Sequence, residues 1–309
     1  MTLLYHDPRF LDHDTGNHPE RPQRLQQIVA RLESTGLLAE CPQPEWEPAS
    51  LERLQLVHEL GHIEAVAEMA GRGGGRLDPD TVVSPASFEV ARLAAGAACD
   101  AVDRVVAGED KTALCLVRPP GHHALPERAM GFCLFSNVAV AASVARDEHE
   151  LDRVLIVDWD VHHGNGTQDV FYSDERVGFF SIHRWPFYPG TGDSDETGSG
   201  AGRGATVNVP VSFGTSREVY HQRFASELEK FADRLRPQLV LLSAGFDAHR
   251  TDPVGSLGLE VEDFARLTEV VRAVAAAHAE GRVVSVLEGG YNPPVLAECV
   301  ETHLRGLVH

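Results

Sequence analysis

Residues 153–168 constrain this chain more than any other segment. Residues 154–157 form an uninterrupted apolar, largely β-branched run, the pattern of a strand buried on both faces of a parallel sheet. Asp158, Asp160, His162 and His163 then follow within six residues. Four ionisable side chains leaving a buried strand are costly to desolvate unless they meet partners. A divalent cation is the simplest partner that Asp and His share. Alternate residues of an extended chain point the same way, so Asp160 and His162 can reach one ion. A solvated turn with scattered charge would not need so apolar a strand leading into it.

The rest of the chain repeats this arrangement. Apolar runs at 2–5, 112–117, 177–182, 206–211, 239–243 and 283–287 read as further strands. They alternate with helical patterns at about 22–32, 51–69, 86–107, 137–146, 167–171, 217–235, 261–279 and 294–304. The Gly- and Asp-rich stretch 71–85 and the Gly-rich stretch 185–204 read as loops. Alternation of this kind predicts an α/β protein, one parallel sheet with helices on both faces, in a single domain over residues 1–309. Five of the strands end in loops that carry chemistry, and open α/β sheets bind ligands beyond the carboxyl ends of their strands. His122, His123, Asp158, Asp160, His162, His183, Asp247, His249 and Tyr291 are therefore expected to converge.

Asp247 is the best third ligand beside Asp160 and His162, its competing role being to cap the next helix. An Asp-His-Asp set leaves positions open for water and a substrate carbonyl, as catalytic zinc requires. The pair His122 and His123 can supply a general base, with Asp158 orienting one ring and Asn165 the other. Tyr291 follows two glycines and can donate its phenol to a developing oxyanion, although a packed aromatic is the commoner fate of a tyrosine. Together these groups read as metal-assisted hydrolysis of an amide or ester.

Composition narrows the partners. A net charge of −19 argues against nucleic acid as the main partner. No run approaches the roughly 20 apolar residues of a membrane helix, and the first residues lack the basic flank of a signal peptide. None of the five cysteines forms a C-x-x-C pair, so a reducing, cytoplasmic setting is expected. The oligomeric state is left open.

Six motifs carry a resemblance: Arg118-Pro-Pro-Gly-His-His-Ala124, Gly131-Phe-Cys-Leu-Phe-Ser-Asn137, Asp158-Trp-Asp-Val-His-His-Gly-Asn-Gly-Thr-Gln168, Phe187-Tyr-Pro-Gly-Thr-Gly192, Ala244-Gly-Phe-Asp-Ala-His249 and Glu288-Gly-Gly-Tyr291. In this order, over nearly the whole chain, they resemble the zinc-dependent histone deacetylase family. The likeness is nearest to its class II branch and bacterial amidohydrolases, because Asn165 stands where class I members carry Asp. The resemblance implies the arginase–deacetylase fold, with an eight-stranded parallel sheet. It places the zinc ligands on Asp160, His162 and Asp247, the tandem histidines on His122 and His123, and the oxyanion tyrosine on Tyr291. It lines an acyl-lysine tunnel with Gly131, Phe132 and Tyr188, the last replacing the usual Phe. It also implies one or two structural potassium ions, one held by Asp158, Asp160, the backbone of His162 and Ile182, and Ser181. Asp80 matches the rim acid that holds the substrate backbone, and Arg21 the arginine of the internal acetate channel. Val254 stands where the polyamine-selective branch carries a glutamate, which favours acetyl-lysine over small acetylated amines such as acetylpolyamines. Two other readings remain, an arginase-type ureohydrolase, for which a second metal lacks ligands, and a non-catalytic acyl-lysine binder.

Overall fold

The computed structural model describes residues 1–308. Its strands are β1 (Thr2–Tyr5), β2 (Gly75–Asp78), β3 (Thr81–Val83), β4 (Thr112–Cys115), β5 (Val154–Asp158), β6 (Val177–Arg184), β7 (Thr206–Val211), β8 (Leu239–Ala244) and β9 (Val283–Leu287). Its helices are α1 (Gln23–Ser34), α2 (Leu37–Glu40), α3 (Leu51–Leu54), α4 (Leu60–Gly71), α5 (Ser87–Ala107), α6 (Asn137–Asp147), α7 (Asn165–Phe171), α8 (Arg217–Leu235), α9 (Val261–His278) and α10 (Pro293–Val308). Seven strands form one sheet in the order β1-β4-β9-β8-β5-β6-β7, every pair parallel. Helices α5 and α6 pack on one face, and α1, α10, α9 and α8 pack in succession on the other. Strands β4, β5, β8 and β9 are buried at every position, because helices cover both faces.

The expected sheet of eight strands is corrected to seven. The apolar runs of the sequence account for all seven, and the eighth rested on resemblance alone. The remaining strands, β2 and β3, pair with each other as a separate antiparallel hairpin within the stretch read as a loop. The helix expected over 51–69 is also broken, into α3 and α4. The buried His58 ring lies between the carbonyl of Leu125 at 3.0 Å and the amide of Ser136 at 2.9 Å, and Glu59 N donates to Pro126 O, so tertiary contacts interrupt the helical pattern.

The topology fixes where a site can form. The chain passes from β4 to β5, leaving room for two strands, moves outward through β6 and β7, and returns to fill the gap with β8 and β9. The carboxyl ends of β4, β9, β8 and β5 are thereby neighbours at the switch in strand order, where open α/β sheets hold ligands. The loop after β4 lies against the ends of β9 and β5, where Glu288 and Asp158 meet it, before α6 carries the chain back to the start of β5.

A buried ion cluster anchors the amino-terminal loops beneath this edge. Glu20 accepts from Arg118 Nε at 2.5 Å and Nη2 at 2.8 Å and from Arg24 Nη1 at 3.2 Å. Arg118 also donates to the carbonyls of Phe10 and His13, so one guanidinium ties the β4 loop to residues 10–20. Burial alone would raise the Glu20 carboxyl, but Arg118 outweighs it and holds the group down at about 2. A carboxylate depressed on folding stabilises above its ordinary pKa of 4.5 and loses that contribution as pH falls toward 2, here roughly 3 kcal/mol. Glu20→Gln is expected to lower stability at pH 7 by several kcal/mol, because Arg118 stays buried without its counter-charge, and to flatten the acid limb between pH 4.5 and 2. Urea titrations at pH 7 and pH 3 test this, and equal stability of variant and wild type at pH 7 would contradict it.

Candidate active site

Asp158 closes β5, in register with Ser181 on β6 and Ser243 on β8. Its Oδ1 accepts from Asp160 N at 3.0 Å, turning the chain so that Asp160 and His162 follow side by side. His162 Nδ1 lies 3.0 Å from Asp160 Oδ1 and 3.1 Å from Asp247 Oδ2. Ligand atoms of these three buried residues all lie within 4.8 Å of one another, and among the described residues no other His, Cys, Asp or Glu group does so.

The donor set fits a divalent cation. Asp160 accepts from His162 N and Gly289 N, and Asp247 Oδ1 from Val161 N, but buried Asp247 Oδ2, though 3.1 Å from His162 Nδ1, makes no well-aligned hydrogen bond. Burial, followed by the charge of Asp160, pushes the Asp247 carboxyl up to about 7. Two crowded carboxylates with an oxygen left over are what a cation would relieve. A Cβ at Gly289 would stand 2.3 Å from Asp247 Oδ2 and 2.5 Å from Asp160 Oδ2, so a side chain there would displace both carboxylates.

The tandem histidines reach this cluster from the β4 loop. His122 Nδ1 donates to Asp158 Oδ2 at 2.9 Å, and His123 Nδ1 to Asn165 Oδ1 at 2.7 Å. Their rings lie 4.0 Å apart, and His123 is 5.9 Å from His162. Burial opposes charge on His122, yet Asp158 and Asp160 together hold it up at about 10. His123 lies well below its ordinary value because of burial, with the charges of His122 and His162 adding to it. The carboxylates therefore favour charge on His122 while burial disfavours it on His123, the kind of contrast that separates adjacent acid and base roles.

A cavity of about 150 Å³ opens above His123, His162 and Tyr291, walled by Gly131, Phe132, Phe187, Tyr188, Val254 and Asp80. Phe132 meets Tyr291 edge to face at 5.6 Å, and Tyr188 meets His123 likewise at 5.2 Å. Gly131 has a φ of 57°, and a Cβ there would stand 2.4 Å from the His123 ring. Asp80 sits at the tip of the β2–β3 hairpin, whose Thr81 hydroxyl accepts from Phe132 N. Burial raises the Tyr291 phenol well above its ordinary value, so it stays protonated as a donor.

Other expectations fall outside this cluster. His183 is engaged by Ser181 and by the carbonyl of Gly192, and His249 by Thr251, with Glu260 at 3.6 Å. Arg21 is half-buried and does not enter the interior. Arg24 does, donating to the carbonyls of Gly290 and Glu288 with its guanidinium 5.0 Å from the Tyr291 ring centre. The signal was in the sequence: Arg24, Ile28 and Leu32 share one helical face, and all three are buried. At the expected potassium position, Asp158 has a protein partner on each side-chain oxygen, Ser181 Oγ pairs with His183, and Ile182 is buried beside them.

Three further residues went unassigned in the sequence. Phe187 stacks on His162 at 5.2 Å and 14°, backed by the Arg184 guanidinium at 4.1 Å. Glu288 accepts from the amides of Gly121 at 2.7 Å and His122 at 3.2 Å, holding the loop after β4 against the end of β9. Asp252 accepts from Tyr291 N at 2.6 Å.

The chain is similar to known proteins over most of its length. The family model described as the histone deacetylase domain matches residues 18–307. The chain is 41% identical over 283 residues to a histone deacetylase-like amidohydrolase of Pseudomonas aeruginosa, covering 91% of this chain and 74% of the relative. It is 42% identical over 315 residues to the polyamine deacetylase HDAC10 of Homo sapiens, covering 96% of this chain and 46% of that protein. The crystal structure of the HDA15 HD domain superposes with a TM-score of 0.94 at 38% identity, covering 99% of this chain and 89% of that one. No helix among the described residues is long and apolar enough to cross a membrane.

The donor set predicts one tightly held divalent metal per chain. Elemental analysis is expected to find it in the wild type and to find most of it lost in Asp247→Ala. Two tightly held metals, or full retention in Asp247→Ala, would contradict the assignment.

Proposed function

This chain belongs to the histone deacetylase family, and from that premise we propose that it hydrolyses the amide of an acetylated amine, with acetyl-lysine preferred, using zinc at Asp160, His162 and Asp247. The observation that carries this reading is the convergence of His123, His162 and Tyr291 on the floor of one narrow cavity walled by aromatic rings. An extended acylated alkyl chain fits between Phe132, Phe187 and Tyr188, leaving its amide at the floor. A zinc ion there would supply Lewis acidity toward a water molecule and the amide carbonyl.

His123 acts as the base. Its Nδ1–H is committed to Asn165, which leaves Nε2 to take the proton from the attacking water and return it to the departing amine. His122, whose charged form Asp158 and Asp160 favour against burial, would oppose proton uptake by His123 until negative charge develops. Tyr291 donates its phenol to the oxygen that gains charge in the tetrahedral state. Asp80, on the rim, is suited to hold the backbone of a peptide substrate.

The substrate preference rests on Val254, a half-buried aliphatic residue of the cavity wall. Valine offers no acceptor to a remote ammonium, where a charge-assisted hydrogen bond would contribute about 1.5–3 kcal/mol. The net charge of −19 draws cations from all sides, but exposed charges beyond about 10 Å are screened at ordinary salt.

Tyr291→Phe is expected to fold normally and lose about 10²–10³ in kcat, and His123→Ala to lose at least as much. Wild-type rates in both variants would remove the proposed chemistry. Val254→Glu should move kcat/KM toward acetylspermidine relative to an acetyl-lysine peptide. A wild type that already favours acetylspermidine tenfold, or a variant whose preference does not move, would overturn the substrate assignment.

A further inference from the structure

We propose that Asp252 is a positioning residue for the phenol of Tyr291, which rests on the deacetylase reading above. Asp252 lies in the loop after β8, between Asp247 and Val254, and is 8% exposed. Its carboxylate accepts three backbone N–H groups. Oδ2 takes Tyr291 N at 2.6 Å, while Oδ1 takes Val254 N and Gly255 N, each at 2.9 Å. A second tie joins the same two segments, since Asn292 Nδ2 donates to Thr251 Oγ1 at 2.9 Å and to Thr251 O at 3.3 Å.

Tyr291 depends on these bonds to an unusual degree. It falls between the end of β9 and the first residue of α10, so neither a strand ladder nor a helix fixes its backbone. Among the described residues no protein group hydrogen-bonds its hydroxyl, and its ring meets Phe132 edge to face at 5.6 Å and the Arg24 guanidinium at 5.0 Å. The place of the phenol is therefore set from its backbone outward. The preceding residues are pinned by Gly289 N on Asp160 and by Arg24 on the Gly290 carbonyl. Asp252 supplies the remaining pin, a charge-assisted bond to the amide of Tyr291 itself. An oxyanion donor works only within hydrogen-bond reach of the charged oxygen, and a displacement near 1 Å costs about 10²-fold. The same carboxylate seats Val254, so the cavity wall and the donor at its floor share one reference point.

Asp252→Asn keeps the shape but turns one acceptor into a donor, so either Tyr291 N or the Val254–Gly255 pair loses its partner. The test is a cycle of wild type, Asp252→Asn, Tyr291→Phe and the double variant, each with bound zinc measured and kcat and KM determined on an acetyl-lysine peptide. Asp252→Asn is expected to lower kcat about 10- to 100-fold, with KM within about threefold of wild type and zinc content unchanged. In the Tyr291→Phe background the same substitution should cost less than about twofold, because no phenol remains to misplace. An unchanged kcat in Asp252→Asn, an equal loss in both backgrounds, or loss of zinc would overturn the proposal. Full activity in Tyr291→Phe alone is a different failure, of the oxyanion role itself. If Asp252→Asn does not fold, the same cycle is run with Asn292→Ala, at a half-buried position. There a fall in kcat that vanishes in the Tyr291→Phe background supports the proposal, and no fall overturns it.

Discussion

Compensation of buried negative charge governs this structure. Asp158, Asp160, Asp247, Asp252 and Glu288 gather at the carboxyl edge of β5, β8 and β9, all nearly or wholly inaccessible to water. Isolated, each would cost several kcal/mol to bury or would take up a proton. Most are compensated by backbone N–H groups from loops far away in sequence. Asp158 turns its own chain, Asp160 takes the amide of Gly289, Glu288 takes those of Gly121 and His122, and Asp252 takes those of Tyr291, Val254 and Gly255. Each carboxylate is thus both a cost and the reason that a particular loop lies where it does. One buried oxygen is left over, Asp247 Oδ2, beside Asp160 and His162.

That remainder links fold to chemistry. The loop after β4 that brings His122 and His123 against the ends of β9 and β5 has no ladder to follow, and Glu288 holds it in place. Glu20 performs the same service one layer below, gathering Arg118 and Arg24 so that Arg24 can brace the carbonyls before Tyr291. His123 as the proposed base, Asp160, His162 and Asp247 as the proposed ligands, and Tyr291 as the proposed oxyanion donor come from four different loops. Their mutual placement is a property of the carboxylate network rather than of any one loop.

Much of this was legible in the sequence because two signals were local. The doubly buried strands read as unbroken apolar runs, and the interrupted run of the edge strand β7 still reads as a strand. The partners of the two histidines were also foreseeable, since Asp158 and Asn165 lie in the same motif as the ligands. What failed depended on contacts between distant segments. The break before α4 follows from His58 sitting under another loop, and β2–β3 is a hairpin whose Gly and Asp content mimics coil. Arg24 rather than Arg21 enters the interior because Arg24 lies on the buried face of α1 while Arg21 precedes the helix, and Phe187, backed by Arg184, faces the cavity beside Tyr188. Glu288 and Asp252 were missed because their partners are backbone amides, which leave no mark in residue identity.

The central claim is that the uncompensated charge at Asp160 and Asp247 is the seat of the reaction's metal. Anomalous diffraction from crystals of the purified protein, recorded on either side of the zinc absorption edge, tests it most directly. The account predicts one strong anomalous peak per chain, enclosed by Asp160, His162 and Asp247 and open toward the cavity beneath Phe132 and Phe187. A peak at any other position, or a zinc-replete crystal with none between those three side chains, would contradict it.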